Sequence, residues 1–270
     1  MRFIVAFLIT LLLAVSGFAA EKSLLMATTT STDNTGLLEY LEPIFEKDTG
    51  IDWKWTATGT GKALELGKNC DADILLVHAP PAEKRYINNG YGLYRKEVMY
   101  NDFVIVGPAS DPANIEGKNV TEALKAIYNN GETFASRGDD SGTNKKEILL
   151  WDAAGIKDYN KKSWYKETGQ GMIATLNIAT EMKGYTMTDR GTYIKYQSNY
   201  DGKAPLQILV EGDKILFNQY SLIPVSKERC PDAKLKLAEK FIDWMTSDKI
   251  QQAIADYRLL GKKLFIPNAK

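Results

Sequence analysis

The chain contains one histidine, two cysteines and no net charge, and each of these shortages excludes a class of function. One histidine with two distant cysteines does not match the ligand spacing of zinc sites, so we expect no direct metal-cation ligands. A Ser-His-Asp triad would have to use His78, and no supporting pattern surrounds it, so we expect His78 to be structural. The 34 basic and 34 acidic residues balance, which gives no reason to expect nucleic acid as a partner. We therefore predict a protein that is not an enzyme and has no catalytic residues.

Long apolar runs are also missing, except at the N-terminus. Residues 3–15 are apolar and uncharged, they follow Arg2, and they precede the small residues Ala19 and Ala20. This run is shorter than the roughly 20 residues that span a bilayer, and the pattern is typical of a signal peptide. No cysteine follows it that could carry a lipid. We predict that residues 1–20 are cleaved near Ala19 or Ala20 and that the mature protein is periplasmic; an uncleaved anchor is the alternative.

The two cysteines, Cys70 and Cys230, lie far apart in the sequence. An oxidising compartment would allow them to pair, but spacing does not show whether their Cα atoms come close enough. Two small buried thiols are the alternative, because free cysteine is among the most buried residue types. The sequence leaves both states open.

Strand and helix patterns alternate along the chain, which predicts an α/β fold with ligands at the carboxyl ends of strands. The predicted strands are 23–27, 51–56, 73–78, 102–107, 133–136 and 206–210, and the predicted helices are 35–47, 61–68, 121–129, 143–154 and 172–182. Two further amphipathic helices are expected within residues 232–260. A crossing near Pro108 and a return over 216–225 predict two lobes with a cleft between them, where lobe I comprises 21–107 and 217–270 and lobe II comprises 108–216.

Five hydroxyl side chains stand in a row at residues 28–32, where the first strand ends and a helical pattern begins. Hydroxyl donors beside the unpaired N–H groups of a helix start favour an anion. The alternative is an ordinary helix cap, but one hydroxyl is enough for that purpose. The sequence therefore predicts an oxyanion site at this strand end.

A second hydroxyl-rich helix start lies at residues 136–143, and it adds a guanidinium, Arg137, and two glycines. Arginine suits bidentate recognition of an anion, and glycine lets the backbone approach a ligand closely. The alternative is a structural ion pair between Arg137 and Asp139 or Asp140. A carboxylate such as Asp139 helps to bind an anion only when that anion carries a proton, so a fully deprotonated ligand predicts that Asp139 faces Arg137 or the backbone.

The segment 56–62 is similar in kind, because it follows a strand, precedes a helix and contains Thr58 and Gly61. It is not a Walker A loop, since the glycine spacing is wrong and Ala63 stands where Ser or Thr would coordinate magnesium. A plain turn containing glycine is the alternative to a role in binding.

Together, these three segments resemble those of Tup-type tungstate-binding proteins, the extracytoplasmic receptors of ABC importers, and the resemblance extends over essentially the whole mature chain. It implies a type II-like periplasmic-binding-protein fold, with two mixed sheets flanked by helices and a ligand cleft between the lobes. The residues that the resemblance assigns to the oxyanion are Thr29, Thr30, Ser31, Thr58, Gly61, Arg137, Ser141, Gly142 and Thr143.

The same resemblance implies high-affinity binding of tungstate, without a cofactor, by a monomer that delivers its ligand to an ABC permease in the inner membrane. Two other ligands stay open. The pattern of Arg137, Asp139 and Ser141 is also similar to that of phosphate receptors, and molybdate has the charge and nearly the size of tungstate. From another class, an exported hydrolase with a Ser or Thr nucleophile is the remaining alternative.

Overall fold

The computed structural model describes residues 22–270, so the predicted signal peptide, residues 1–20, lies outside the described residues. The strands in this part of the chain are β1 (Ser23–Thr29), β2 (Asp52–Thr58), β3 (Ile74–Val77), β4 (Lys96–Pro108), β5 (Phe134–Ser136), β6 (Tyr165–Glu167), β7 (Tyr185–Asp189), β8 (Leu206–Val210), β9 (Phe217–Pro224), β10 (Arg258–Leu259), β11 (Lys262–Lys263) and β12 (Ile266–Pro267).

Helices connect most of these strands. They are α1 (Thr30–Asp33), α2 (Leu37–Thr49), α3 (Thr60–Lys68), α4 (Pro80–Asn88), α5 (Val120–Asn130), α6 (Gly142–Ala153), α7 (Met172–Glu181), α8 (Arg190–Ser198), α9 (Leu235–Met245) and α10 (Asp248–Asp256), with 3₁₀ turns at Tyr159–Lys161 and Lys214–Leu216. No helix within residues 22–270 is both long and apolar enough to cross a membrane.

One long strand, β4, joins the two halves of the sheet. The strand order is β2-β1-β3-β9-β4-β7-β5-β6, with β8 and β12 also paired to β4. Residues 96–102 of β4 pair with β9, and residues 103–106 pair with β7. The first half contains parallel β1, β2 and β3, and the second half contains parallel β5, β6 and β7. The predicted mixed sheets are therefore present and are continuous through β4.

Each half of the sheet has its own hydrophobic core. In the first half, Trp53 of β2 packs at ring distances of 4.6 Å from Phe241 of α9 and 5.9 Å from Phe45 of α2. In the second half, Trp151 of α6 packs 5.3 Å from Phe134 of β5. The two C-terminal helices thus pack on the first half, as predicted, because their apolar faces share its core.

The structure differs from the predicted elements in several places. The hydroxyl run forms its own short helix, α1, and the next helix begins at Leu37 because Gly36 adopts a left-handed φ of 76° between them. Strand β4 begins at Lys96, six residues before the predicted start at Asp102. Helices α4 and α8 and strands β6, β7, β10, β11 and β12 were not predicted, and β9 occupies the segment that was predicted only as the return crossing. The other elements for which bounds were predicted lie within two residues of those bounds.

Cys70 and Cys230 form a disulfide, with their Cα atoms 5.3 Å apart. Cys70 directly follows Asn69, the C-cap of α3, and Cys230 lies in the loop between β9 and α9, so the disulfide links these two segments. This settles the pairing that the sequence left open. A structural disulfide is characteristic of proteins that fold in an oxidising compartment.

Candidate functional site

The row of hydroxyls at residues 28–32 divides between the sheet and the helix that follows. Thr28 lies on β1 and donates its hydroxyl hydrogen to the Leu76 carbonyl of β3 at 2.8 Å. Thr29 caps α1, because its Oγ1 accepts from the Thr32 N–H at 3.3 Å. Ser31 and Thr32 are buried, whereas Thr30 is exposed. Only part of the row is therefore available to a ligand.

The second hydroxyl-rich segment forms the loop between β5 and the start of α6. Ser141 caps that helix through a 3.2 Å bond from the Asn144 N–H. Gly138 has φ +60°, and a Cβ at this position would lie 2.8 Å from the Cβ of Glu167. Glycine is needed there for both reasons, since a side chain would be strained and would collide. This tight loop places Arg137 at the end of the second half of the sheet.

Arg137 is buried, with 7% of the residue exposed, and it pairs with Asp139. Its Nε and Nη2 donate to Asp139 Oδ2 at 3.1 and 2.5 Å. The other carboxylate oxygen, Oδ1, accepts from the Ser141 N–H at 3.2 Å. Asp139 therefore holds the guanidinium in place, and three of the five guanidinium N–H groups have no part in this ion pair.

A cavity of about 240 Å³ brings the two segments together. Helices α1, α7 and α8 begin at its wall, so the N-terminal ends of three helices lie near one space. Arg137 completes the wall from the second half of the sheet. The lining residues are Thr30, Ser31, Asn34, Arg137, Gly171, Met172, Ile173, Ala174 and Thr192.

Three of the predicted ligand residues, Thr30, Ser31 and Arg137, therefore line one cavity. Thr29 lies behind it as the cap of α1. Thr58 is partly exposed at the end of β2, in register with Thr29, and is not part of the lining. The assignment of ligand contacts to the predicted residues stays a prediction.

The remaining predicted residues lie where the starts of α3 and α6 meet. A Cβ at Gly142 would lie 2.8 Å from Thr60 Oγ1 and 2.9 Å from His78 Cε1. A Cβ at Gly61 would lie 2.7 Å from Asp140 Oδ2. Glycine at 61 and 142 thus permits the close approach of the two halves of the sheet.

Two hydroxyls at this junction are buried without a hydrogen-bond partner among the described residues. They belong to Thr60, the first residue of α3, and Thr143, the second residue of α6. A buried polar group without a partner costs about 1 to 3 kcal/mol. Such hydroxyls suit an oxyanion ligand, whose oxygens would accept their hydrogens. Thr143 was predicted as a ligand residue, whereas Thr60 was not.

His78 also belongs to this site, and nothing in the sequence pattern pointed to it. It directly follows β3 and is 4% exposed. Its Nε2 lies 3.1 Å from both Thr29 Oγ1 and Ser31 Oγ. Burial lowers the pKa of the imidazole, an effect that Asn218 and Asp189 oppose and Arg137 reinforces. A neutral imidazole therefore contacts the hydroxyl row.

The cavity wall includes a second hydroxyl that sequence reasoning missed, that of Thr192. Asp189 ends β7 and caps α8, accepting from the Thr192 N–H at 2.9 Å and its hydroxyl at 2.6 Å. The segment 188–192 shows the same signal as the two recognised motifs, since Thr and Asp residues precede a helix. It was missed because neither β7 nor α8 was predicted.

Behind Arg137, a buried carboxylate holds the loop to α6. Glu147 accepts from the Ser136 hydroxyl at 2.6 Å, the Tyr165 hydroxyl at 2.7 Å and the Trp151 indole at 3.0 Å. Burial raises the pKa of Glu147 to about 7, although these three donors oppose the shift. Because Ser136 directly precedes Arg137, this network fixes the backbone that carries the guanidinium.

Comparison with known proteins places the chain in a family. Residues 16–249 match the PBP superfamily domain. The chain is 50% identical over 241 residues to the tungstate-binding protein TupA of Campylobacter jejuni, which covers 89% of each chain. The chain belongs to the TupA family.

Solved structures agree with this membership. The tungstate-binding protein TupA of Desulfovibrio alaskensis G20 is 59% identical and superposes with a TM-score of 0.85, covering 92% of this chain and 99% of the other. The tungstate ABC transporter structure from Geobacter sulfurreducens is 46% identical, with a TM-score of 0.79 over 88% of this chain and 100% of the other. The resemblance and the fold class expected from the sequence are both confirmed.

Proposed function

We propose that this TupA-family chain binds tungstate between the two halves of its sheet and delivers it to an ABC permease. The observation that carries the proposal is the shared cavity, in which the Ser31 hydroxyl and the buried Arg137 guanidinium line one space at the starts of three helices. Tungstate is a tetrahedral dianion without a proton to donate near neutrality, so it needs donors on every side. Hydroxyls, helix N–H groups and one guanidinium meet that requirement.

The position of Asp139 favours tungstate or molybdate over phosphate. Both of its carboxylate oxygens are engaged, one by Arg137 and the other by the Ser141 N–H. A phosphate receptor of the kind considered from the sequence would use this carboxylate to accept the phosphate proton. In this protein the carboxylate orients the arginine instead, which is the arrangement expected for a fully deprotonated ligand.

We further propose that the halves act as lobes, with lobe I at 21–107 and 217–270 and lobe II at 108–216. Strand β4 runs through both halves of the sheet, and hinge closure is the usual motion of two lobes joined in this way. The remaining parts of the proposal are a cleaved signal peptide at 1–20, a periplasmic location, a monomeric state and the absence of enzymatic activity.

Calorimetric titration of the ligand-stripped mature protein tests the proposal. Tungstate, molybdate, phosphate and sulfate are titrated in one buffer. We expect tight binding of tungstate and weak or absent binding of phosphate. Tight phosphate binding would overturn the assignment of tungstate as the ligand. If none of the four anions bound, the receptor function would be overturned.

The role of Asp139 has a separate test, the variant Asp139→Asn. It keeps an oxygen that can accept from the Ser141 N–H but loses the ion pair with Arg137. If Asp139 only orients Arg137, tungstate affinity falls by about tenfold or less, as expected when a partly exposed pair is weakened. Two results would contradict this role: a variant that gains tight phosphate binding, or a variant that loses affinity for protonated phosphate while its tungstate affinity is unchanged.

A further inference from the structure

We infer that His78 is a positioning residue of the proposed oxyanion site: its neutral imidazole, protonated on Nδ1, accepts the Thr29 hydroxyl hydrogen and leaves the Ser31 hydroxyl free to donate to the anion. This inference rests on the proposed function. It assigns a binding role to a residue whose sequence surroundings indicated a structural one.

Asn218 fixes the protonation of the ring. The two hydrogens of its amide nitrogen are used, since Nδ2 donates to Asn101 Oδ1 at 2.8 Å and to the Tyr220 hydroxyl at 3.2 Å. Its Oδ1 therefore faces His78 Nδ1, 2.8 Å away, as an acceptor. Only a protonated Nδ1 makes a hydrogen bond there, so a neutral ring presents its Nε2 lone pair to the hydroxyl row.

The hydrogen-bond capacity of Thr29 decides which hydroxyl serves that lone pair. Thr29 Oγ1 has two acceptor sites and one hydrogen. It accepts from the Thr32 N–H at 3.3 Å and lies 2.6 Å from the Thr32 hydroxyl. With Thr32 donating both hydrogens, the Thr29 hydrogen has two acceptors at 3.1 Å, His78 Nε2 and Ser31 Oγ. We assign it to Nε2, because an imidazole nitrogen lone pair is a stronger acceptor than a hydroxyl oxygen.

Tyr220 supports the imidazole from its face. The Tyr220 ring stacks on His78 with centroids 4.8 Å apart, and its hydroxyl accepts from Asn218 Nδ2 at 3.2 Å. The hydrogen bonds that carry the inference lie on the two edges of the imidazole, from Nδ1 to Asn218 Oδ1 and from the Thr29 hydroxyl to Nε2.

Ser31 lies beside these bonds and keeps a hydrogen of its own. Its Oγ lies 3.1 Å from both Thr29 Oγ1 and His78 Nε2, and Ser31 also lines the cavity with Arg137. Because Thr29 already serves the imidazole, the Ser31 hydrogen is available to a ligand oxygen. Asn101 and Asn218 are paired in register on β4 and β9, so the bond from His78 to Asn218 also connects the hydroxyl row to β4, the strand that joins the halves.

The single histidine makes the tautomer directly measurable. Imidazole ¹⁵N spectra of the wild-type mature protein, without a histidine tag, report His78 alone. We expect a protonated Nδ1 and an unprotonated Nε2 at neutral pH, and a shift of the Nε2 resonance when tungstate is added. A protein that binds tungstate with an Nε2–H tautomer would overturn this inference and leave the proposed function intact. A wild-type protein that binds no tungstate would overturn the proposed function, and the role of His78 with it.

Variants separate positioning from a general structural role. His78→Gln keeps an acceptor near the place of Nε2, whereas His78→Leu has none. We expect His78→Leu to bind tungstate about tenfold more weakly, as the loss of one hydrogen bond predicts, and His78→Gln to recover most of that loss. Gln219→Leu is the matched control, because Gln219 is the neighbour of Asn218 on β9 and bonds instead to Met99 and Asn268. Unchanged affinity in His78→Leu, or equal losses in both His78 variants, would overturn the inference.

Discussion

The two walls of the candidate site use different chemistry. The wall from the first half of the sheet is neutral and consists of hydroxyls held by an uncharged imidazole, His78, whereas the wall from the second half carries the charge, as Arg137 paired with Asp139. The pair as a whole has no net charge, so it offers directed donors in place of a general positive potential. Under the proposed function both walls are needed, since neither wall alone surrounds a tetrahedral ligand with donors.

Removing the charged wall should have the largest effect. Arg137→Ala deletes the charged donor that would face the anion, and losing one member of a buried charge pair across a binding interface costs on the order of 2 to 5 kcal/mol. We expect tungstate affinity to fall by a matching factor in calorimetric titration. Arg258→Ala is the control, because Arg258 is exposed and bonds only to carbonyls of its own segment. Unchanged affinity in Arg137→Ala would remove the charged wall from the site.

Separating the two walls should have the next largest effect. Gly142→Ala places a methyl group 2.8 Å from Thr60 Oγ1 and 2.9 Å from His78, so the starts of α3 and α6 are pushed apart. Overpacking of this kind costs about 1 to 3 kcal/mol. We expect weaker tungstate binding in Gly142→Ala and little change in Gly59→Ala, where a Cβ meets no atom within 4 Å. Equal affinities in these two variants would contradict the close approach.

Weakening the neutral wall should have a smaller effect. Ser31→Ala removes one hydroxyl donor from the cavity, and a single hydrogen bond contributes about 0.5 to 1.5 kcal/mol. Titration should therefore show a loss of about three- to tenfold in tungstate affinity. The control is Ser198→Ala, whose exposed hydroxyl bonds to the Lys195 carbonyl far from the cavity. An effect of Ser31→Ala as large as that of Arg137→Ala would break the contrast between the walls.

The smallest effect concerns the support behind the charged wall. Burial raises the pKa of Glu147 from its ordinary value of 4.5 to about 7, so the folded protein retains a proton that the unfolded chain releases. This contribution to stability is complete below about pH 4.5 and is lost as the pH rises through about 7.

Thermal unfolding between pH 5 and 8 tests whether the stabilisation by Glu147 decreases as the pH rises. The melting temperature of Glu147→Gln should decline less across this range than that of the wild type, because glutamine does not titrate. Glu116→Gln, at an exposed position, should follow the wild type. Equal declines in Glu147→Gln and the wild type would show that Glu147 does not change its protonation state in this range, which would contradict the raised pKa.

Local patterns predicted much of the fold but could not predict the junction between the halves. Helix starts at Gly142 and Met172 were visible because glycine and serine caps precede apolar runs. Strand β7 was not, because its five residues follow a helix closely and show no alternation of exposed and buried positions. Because β7 and the helix that follows it were not predicted, the position of Thr192 in the cavity wall was not predicted either.

The residues of the candidate site also divide into those that a local sequence pattern predicted and those that only long-range contacts bring together. Ser31 and Arg137 were predicted because strand ends and helix starts concentrate hydroxyls and glycines in the sequence. His78 was not, since its partner Asn218 is 140 residues away in the sequence and meets it only when β3 and β9 pair. Long-range contacts of this kind leave no local pattern.

The most direct test of the account is a crystal structure of the tungstate complex in which the metal is located by its anomalous scattering. We predict one tungsten atom in the cavity between the Ser31 hydroxyl and the Arg137 guanidinium, with oxyanion oxygens within hydrogen-bonding reach of both. A tungsten atom bound elsewhere, contacting only one of the two walls, would contradict the account.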